Sequence, residues 1–356
     1  MSLHNPAPIE IEQVLDPQWL QTALYPKYPQ ARVDSAEVVW TLSNTATKIR
    51  AALHVANPPT GLPTHICIKG MFGESARPYR ASGVSGREVQ FYQQLRPILA
   101  EAGMNLPPLL YGAIDDATGH GLFIMPDLVA EGCLFLDPLT PYSVEQAFLS
   151  VEQLARLHAT GYRDVSLAQR VWIEPMLGRM AEKPFVTLER LEELLHDSRS
   201  DAFVPSLRDA ARVQGALPLL AEHLRAQPST LVHGDAHAGN LYQLPGASGI
   251  GIIDWQLIQR GCWALDIAYH LGAALSVETR RSHERDLLNA YLDRLASFGG
   301  PRINREDGWT HYRMAMVYGY YLWSITQRVD RPIILEFMHR LGNAVTDLDS
   351  QQLVES

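Results

Sequence analysis

His233-Gly234-Asp235-Ala236-His237-Ala238-Gly239-Asn240, followed about a dozen residues later by Ile252-Ile253-Asp254-Trp255, is the stretch that decides how this chain reads. It holds a carboxylate able to accept a hydroxyl proton and, five residues on, an amide able to hold a metal. A second carboxylate, at the end of an apolar strand, can hold the same metal. Phosphoryl transfer is mostly positioning and charge neutralisation, so these few parts can carry it. Protein kinases use the same order: a catalytic-loop Asp, an Asn at this spacing, then a metal-binding Asp.

Outward from this stretch the chain divides in two. Asp16-Pro17 reads as an N-cap followed by a proline at the first helical position, opening a short helix. β-type runs follow at 36–40, 48–55 and 65–69, separated by the turn-forming stretches Ser43-Asn44-Thr45 and Asn57-Pro58-Pro59-Thr60-Gly61. That spacing predicts an antiparallel meander. Val89, Tyr92, Leu95 and Leu99 predict a helix over 86–99, and two more strands are predicted at 109–113 and 121–125. The stretch 70–86 has glycine, serine and no clear period, which predicts a mobile loop. After Pro126 long helical patterns dominate, at 144–159, 188–196, 207–224, 284–298, 309–329 and 332–348. A five-stranded antiparallel sheet with one helix, then a larger, mainly helical region, predicts a bilobal α+β fold. The N-terminal lobe covers 1–125 and the C-terminal lobe 126–356.

Composition narrows the class. The 356 residues are 46% hydrophobic and 19% charged, as in an ordinary globular protein. Cys67, Cys133 and Cys262 are widely spaced, which argues against a disulfide framework or a zinc ribbon and fits a reducing, cytoplasmic setting. A formal charge of −9 disfavours nucleic acid as a partner. No apolar run is long enough for a membrane span, and the first residues lack the basic and apolar segments of a signal peptide.

Lys69 ends the apolar strand Ile66-Cys67-Ile68, and Glu88 stands nineteen residues on, early in the predicted helix. Alone, they read as an exposed strand-end lysine and a first-turn helix carboxylate. Ahead of Asp235, Asn240 and Asp254 in this order, they read as a phosphate-contacting lysine and the glutamate that orients it. The turn 41–47 lies where a phosphate-covering loop belongs but has no glycine, so neither a Walker-type loop nor Gly-x-Gly-x-x-Gly is present. Ser43, Asn44 and Thr45 are the candidate contacts there, and they also read as a plain hairpin turn.

The form His-Gly-Asp-x-His-x-x-Asn, with Asp-Trp after the next strand, closely resembles the aminoglycoside phosphotransferase and choline kinase-like superfamily, over about residues 36–330. The resemblance implies a protein-kinase-like fold and an enzyme, monomeric or homodimeric, that uses ATP and Mg2+ to phosphorylate a small-molecule hydroxyl acceptor. It implies Asp235 as the catalytic base and Asn240 and Asp254 as magnesium ligands. Met125 to Leu128 matches the interlobe hinge, where adenine would bond the Pro126 carbonyl and the Leu128 N–H, with Asp127 structural or solvent-facing. His233 becomes a support of the loop, His237 a neighbour of the metal or substrate, and Asp266 a brace from the following helix. On sequence alone, Asp266 also reads as a helix N-terminal carboxylate, and His158 as a hydrogen-bonded core histidine.

Three competing readings lie outside this class. A zinc hydrolase built on His233-x-Asp235-x-His237 leaves Lys69, Glu88 and Asp254 without roles. A protein kinase lacks its Gly-rich loop and its Ala-Pro-Glu segment. A nucleotide-binding pseudokinase is opposed by the intact Asp235, Asn240 and Asp254.

For the acceptor, Asp254-Trp255-Gln256 with Arg260-Gly261 looks most like the ecdysteroid-kinase-like and acyl-CoA-dehydrogenase-associated branches. These imply an apolar hydroxylated metabolite or a hydroxyacyl compound, on analogy alone. Trp263 and the aromatic helix containing Tyr320 are candidate acceptor walls, together with His237. An aminoglycoside or macrolide resistance kinase is the alternative. The acid-rich stretch 182–201 could face a polycation, but Lys183, Arg190 and Arg199 interrupt it, and it also reads as a solvated helix face.

Overall fold

The computed structural model describes every residue except Met1, Ser2, His4, Ala81, Pro141 and Ala202. The Asp16 carboxylate accepts the N–H of Trp19 at 2.9 Å and caps the helix Pro17–Leu24. Five strands follow: β1 Val33–Ser43, β2 Thr47–Val55, β3 His65–Gly70, β4 Tyr111–Asp115 and β5 His120–Pro126. They form one antiparallel sheet in the order β1-β2-β3-β5-β4. Alternation along the strands sends Ile49, Ala51, Ile66, Ile68, Leu122 and Ile124 to one face. There they pack with Leu20 and Leu24 of the first helix into a core of their own. Their sequence neighbours Lys48, Lys69, Phe123 and Met125 line the interlobe cleft instead.

The helix predicted over 86–99 is present with a widened middle turn. It runs as Val84–Gln90, a π turn at Phe91–Leu95, then Arg96–Glu101. Part of the predicted loop 70–86 is helical, with a 3-10 turn at Glu74–Ala76 and short helices at Arg77–Arg80 and from Val84. The helix seats directly on β5: a Cβ at Gly121 would lie 2.4 Å from the Ser85 carbonyl. Ser85 Oγ also accepts the Gly121 N–H at 3.0 Å. That approach brings Glu88 up to Lys69.

The C-terminal lobe is built from the helices Val144–Arg163, Leu188–Leu195, Ala210–Leu224, Val277–Ser297, Arg305–Ile325 and Arg331–Asp347. Ser143 and Gln146 form a reciprocal capping box at the first of these. A further helix, Ala264–Ala274, is buried at every position, so it has no polar stripe to mark it in sequence. Short strands frame the motif loop. Leu134–Phe135, Leu241–Gln243 and Ile250–Ile252 form one small sheet, and Thr230–Val232 pairs with Gln259–Gly261. Of these, the strand before Asp254 is legible in its apolar run, and the other two- and three-residue strands carry too little period to be read from sequence. Among the described residues, no helix is long and apolar enough to cross a membrane.

Candidate active site

The motif loop leaves the strand Thr230–Val232 through Gly234, whose φ is +82°. A Cβ there would lie 2.4 Å from the Leu257 carbonyl oxygen, so glycine is required both for conformation and for space. The buried Asp266 carboxylate accepts the N–H groups of His233 at 2.7 Å and Gly234 at 2.8 Å, and His158 Nε2 lies 3.0 Å from it. Burial alone would raise this carboxyl, but the hydrogen bond and charge of His158, His233 and the Gly234 N–H hold it below its usual range. His158 is fully buried, with Nδ1 2.7 Å from the Tyr291 hydroxyl. His233 Nδ1 accepts the Asp235 N–H at 3.1 Å. Its Nε2 therefore carries the proton and donates to the Ile253 carbonyl at 3.0 Å. From the helix Arg305–Ile325, the Tyr318 hydroxyl donates to the Gly234 carbonyl at 2.7 Å.

Held this way, the loop leaves the Asp235 side chain 27% exposed. Oδ1 accepts the Tyr269 hydroxyl at 3.0 Å, and Tyr269 in turn accepts the Trp323 indole N–H at 2.7 Å. Burial, with Asp235 beside it, raises the Tyr269 phenol well above its ordinary value, so it remains a donor. Asn240 Nδ2 lies 3.3 Å from the other carboxylate oxygen and 2.9 Å from the Asp235 carbonyl.

The fit to a divalent cation follows from these bonds. Asn240 spends its amide N–H on Asp235, which leaves its oxygen for another partner. The Ile253 N–H donates to the Asn240 carbonyl at 2.9 Å and so brings Asp254 alongside. Asp254 is left-handed, at φ 66° and ψ 65°, a strained setting that aspartate tolerates better than most residues. Its carboxylate meets Lys69 at 2.8 Å and Lys48 at 3.4 Å. Burial opposes ionisation here, but Lys69 and then Lys48 hold the carboxyl well below the usual range. One amide oxygen and one carboxylate suit magnesium, which takes few protein ligands and completes its shell with phosphate oxygens and water. The zinc reading does not survive, because both ring nitrogens of His233 are committed to the backbone.

Lys69 is buried between Asp254 and Glu88, whose Oε2 lies at 2.7 Å. Burial would lower the ammonium, but Asp254 and Glu88 outweigh it and raise it. Glu88 Oε1 also accepts the Trp255 N–H at 3.2 Å. Trp255 stacks on Phe91 at 3.9 Å between centroids and meets the His233 ring at 4.5 Å. In front of these groups lies a cleft of about 410 Å³. Trp40, Leu42, Lys48, Met125, Pro126, Leu128, Phe135, Ile253 and Asp254 are among its lining residues.

At the far end of the cleft, the Asp127 N–H donates to the His65 carbonyl at 3.0 Å. That register turns the Pro126 carbonyl away from β3, beyond the point where β4 ends opposite Ile124. Asp127 is structural: it is 2% exposed, bonded to Arg50 at 2.7 Å and to the Val129 N–H at 3.1 Å.

The structure therefore brings Lys69, Glu88, Pro126, Leu128 and Asp254 to one cleft, and the bonded pair Asp235–Asn240 adjoins it through Gly239 and the Ile253 N–H. It does not do so for every candidate. Ser43, Asn44 and Thr45 lie at the β1–β2 tip but line a separate depression with Glu12, Gly73 and Arg328. Trp263 is 2% exposed and stacks on Tyr291, behind the loop. Tyr320 is 1% exposed and donates to the Leu207 carbonyl. Both are core residues and not walls of this cleft: Trp263 stands at the N-cap of the wholly buried helix Ala264–Ala274, and Tyr320 lies in the buried second half of Arg305–Ile325. His237 does stand beside Asp235, with Nε2 at 3.8 Å and its ring packed against Trp323 and Phe337. Burial among these rings lowers its imidazole. Sequence reasoning missed Lys48, Tyr269 and Tyr318. Only Tyr269 carried a readable signal, since it stands three residues after Asp266 and so on the same helical face.

The phosphotransferase enzyme family matches over residues 76–304. No curated protein matches the chain in sequence. Among solved structures, the GDP complex of wild-type aminoglycoside 2'-phosphotransferase-IIIa is 15% identical with a TM-score of 0.53, covering 93% of this chain and 99% of its own. An ethanolamine kinase from Plasmodium vivax is 14% identical with a TM-score of 0.50, covering 89% of this chain and 82% of its own. A choline kinase from Cryptosporidium parvum Iowa II is 12% identical with a TM-score of 0.50, covering 89% and 88%. Identities this low establish a shared kinase-like fold and no more.

Proposed function

The chain belongs to the phosphotransferase enzyme family, and from that premise we propose that it transfers the γ-phosphoryl group of ATP to a hydroxyl of a small, largely apolar molecule. The observation that carries the reading is that Lys69 and Asp254 line one cleft and the bonded pair Asp235–Asn240 adjoins it, through Gly239 in its lining and the Ile253 N–H on the Asn240 carbonyl.

At the hinge, the outward Pro126 carbonyl and the following Leu128 N–H offer an acceptor and a donor two residues apart. That is the pattern adenine matches with its amino group and ring nitrogen. Trp40, Leu42 and Phe135 supply apolar surface around a base. Lys69, oriented by Glu88, meets phosphate as a fixed cation. Asn240 and Asp254 would hold Mg2+, which supplies neutralisation of the charge that develops on the phosphates.

Asp235 then orients the acceptor hydroxyl and takes its proton as the oxygen bonds to the γ-phosphorus, with ADP leaving. Tyr269 and Asn240 fix the rotamer of that carboxylate before the acceptor arrives. The acceptor class rests on the resemblance and on Lys183, Arg190 and Arg199 interrupting the acid-rich stretch 182–201, since each ammonium of a polycation needs an anionic partner as it loses water. Trp323 and Phe337, 3% and 0% exposed, are core behind His237.

The test is ATP consumption with a panel of hydroxylated lipids, terpenoids, acyl thioesters and aminoglycosides, with product mass showing one added phosphoryl group. Turnover of aminoglycosides alone overturns the acceptor class. Mg·ATP binding with no transfer to water or any acceptor supports a pseudokinase instead.

A further inference from the structure

Lys48 and Lys69 are direct cross-strand partners in the β2–β3 register. Like charges at such positions repel and weaken a sheet, so the pair needs a counter-charge. Asp254 provides it: Oδ1 lies 2.8 Å from Lys69 and Oδ2 lies 3.4 Å from Lys48. The two lysines are not equivalent. Lys69 is 6% exposed in its side chain and has Glu88 as a second, private partner at 2.7 Å. Lys48 is 28% exposed, lines the nucleotide-sized cleft, and Asp254 is the carboxylate it pairs with. It also follows Thr47 at the end of the β1–β2 turn, on the side of the cleft opposite the hinge.

We infer that Lys48 is a second phosphate-contacting lysine, which rests on Asp254 in the free protein and moves to the terminal phosphates when Asp254 takes a metal. The inference rests on reading the cleft as a Mg·ATP site. A cation that occupies the Asp254 carboxylate removes the partner of Lys48 and sets two positive groups side by side. Lys69 is spared this because it keeps Glu88. Lys48 needs a new anion close by, and the arriving triphosphate is that anion. The same ammonium thus neutralises Asp254 before binding and phosphate afterwards, so the cross-strand pair is never left uncompensated. Ser43, Asn44 and Thr45 line another depression, and Arg50, the other cation that β2 sets in the cleft, is held by Asp127 at 2.7 Å.

Calorimetric titration of Lys48→Met and Lys48→Arg with Mg·ATP and with adenosine tests this. Lys48→Met should weaken Mg·ATP roughly 10- to 100-fold, the worth of one charge-assisted hydrogen bond, with adenosine affinity within about twofold. Lys48→Arg should recover most of the loss, and thermal midpoints measured alongside establish that each variant is folded. Unchanged Mg·ATP affinity in folded Lys48→Met overturns the role of Lys48 while leaving the nucleotide site standing. An equal loss for adenosine makes Lys48 a support of the fold and overturns it too. Failure of the wild-type protein to bind Mg·ATP overturns both this inference and the function it rests on.

Discussion

Replacing Tyr269 by phenylalanine removes one oxygen atom and opens two bonds. The Trp323 indole N–H, 2.7 Å from that oxygen in a side chain 3% exposed, loses its acceptor. A buried N–H left unpaired costs about 1–3 kcal/mol. The Asp235 carboxylate loses its 3.0 Å donor. Its side chain is 27% exposed, so water replaces part of that bond. The expected net loss of stability is therefore about 1–3 kcal/mol, most of it from Trp323. The kinetic loss has another origin. Without Tyr269, the 3.3 Å contact with Asn240 and the looser 3.8 Å approach of His237 restrain the carboxylate's rotamer. A misplacement of about 1 Å at a reacting group costs up to ~100-fold, so kcat should fall roughly 10- to 100-fold. ATP hydrolysis without acceptor and phosphoryl transfer to an acceptor found by screening should fall together, with the KM for ATP nearly unchanged. Trp323→Phe removes the donor but keeps the Tyr269–Asp235 bond, so it should cost stability with a smaller effect on kcat. Wild-type turnover in Tyr269→Phe, with a lowered thermal midpoint, would show that Tyr269 serves only the core.

Asp235→Asn should keep the fold and nucleotide affinity while lowering turnover by about 10²–10⁴; near-normal turnover removes Asp235 as the base. Asp254→Ala should abolish the magnesium dependence of nucleotide binding by calorimetry, and unchanged Mg·ATP binding refutes the metal site. Stability should also weaken in mild acid through His270, whose Nδ1 bonds the Ala236 carbonyl at 2.9 Å. Burial lowers this imidazole from 6.5 to about 4. Below pH 6.5 the unfolded chain takes up a proton that the folded one refuses, so stability is full above that pH and falls as pH drops toward 4. The loss reaches about 3 kcal/mol at ~1.4 kcal/mol per pH unit. Thermal midpoints of His270→Asn should fall less steeply over this range than those of the wild type; parallel curves contradict the assignment.

The N-terminal sheet was legible because its strands are long and punctuated by Ser-Asn-Thr and Pro-Pro-Thr-Gly turns. The cleft was legible through order and spacing: Lys69 before Glu88, then Asp235, Asn240 and Asp254. What escaped depends on register and orientation, which one-dimensional patterns do not hold. Lys48 faces Lys69 only because of how β2 pairs with β3. Tyr320 and Trp263 looked like pocket walls because an aromatic residue at a helical position does not declare whether it faces a cavity or a neighbour. Their hydroxyl and ring partners, the Leu207 carbonyl and Tyr291, lie far away in sequence. Of the short strands around the motif loop, the apolar one before Asp254 was legible, and the others were invisible for want of length.

The rings of Phe91, Trp255 and His233 form a continuous column from the N-terminal lobe helix to the motif loop. Packed aromatic rings pass displacement on and do not absorb it, because the interior around them is as dense as a molecular crystal. A tilt of the helix that swings Glu88 away from Lys69 must therefore also press or release the His233 ring. His233 holds the Asp235 N–H on one side and the Ile253 carbonyl on the other. The Lys69–Glu88 pair and the loop that carries Asp235 thus share one packed column, and a molecule wedged behind the helix, outside the cleft, should shift both.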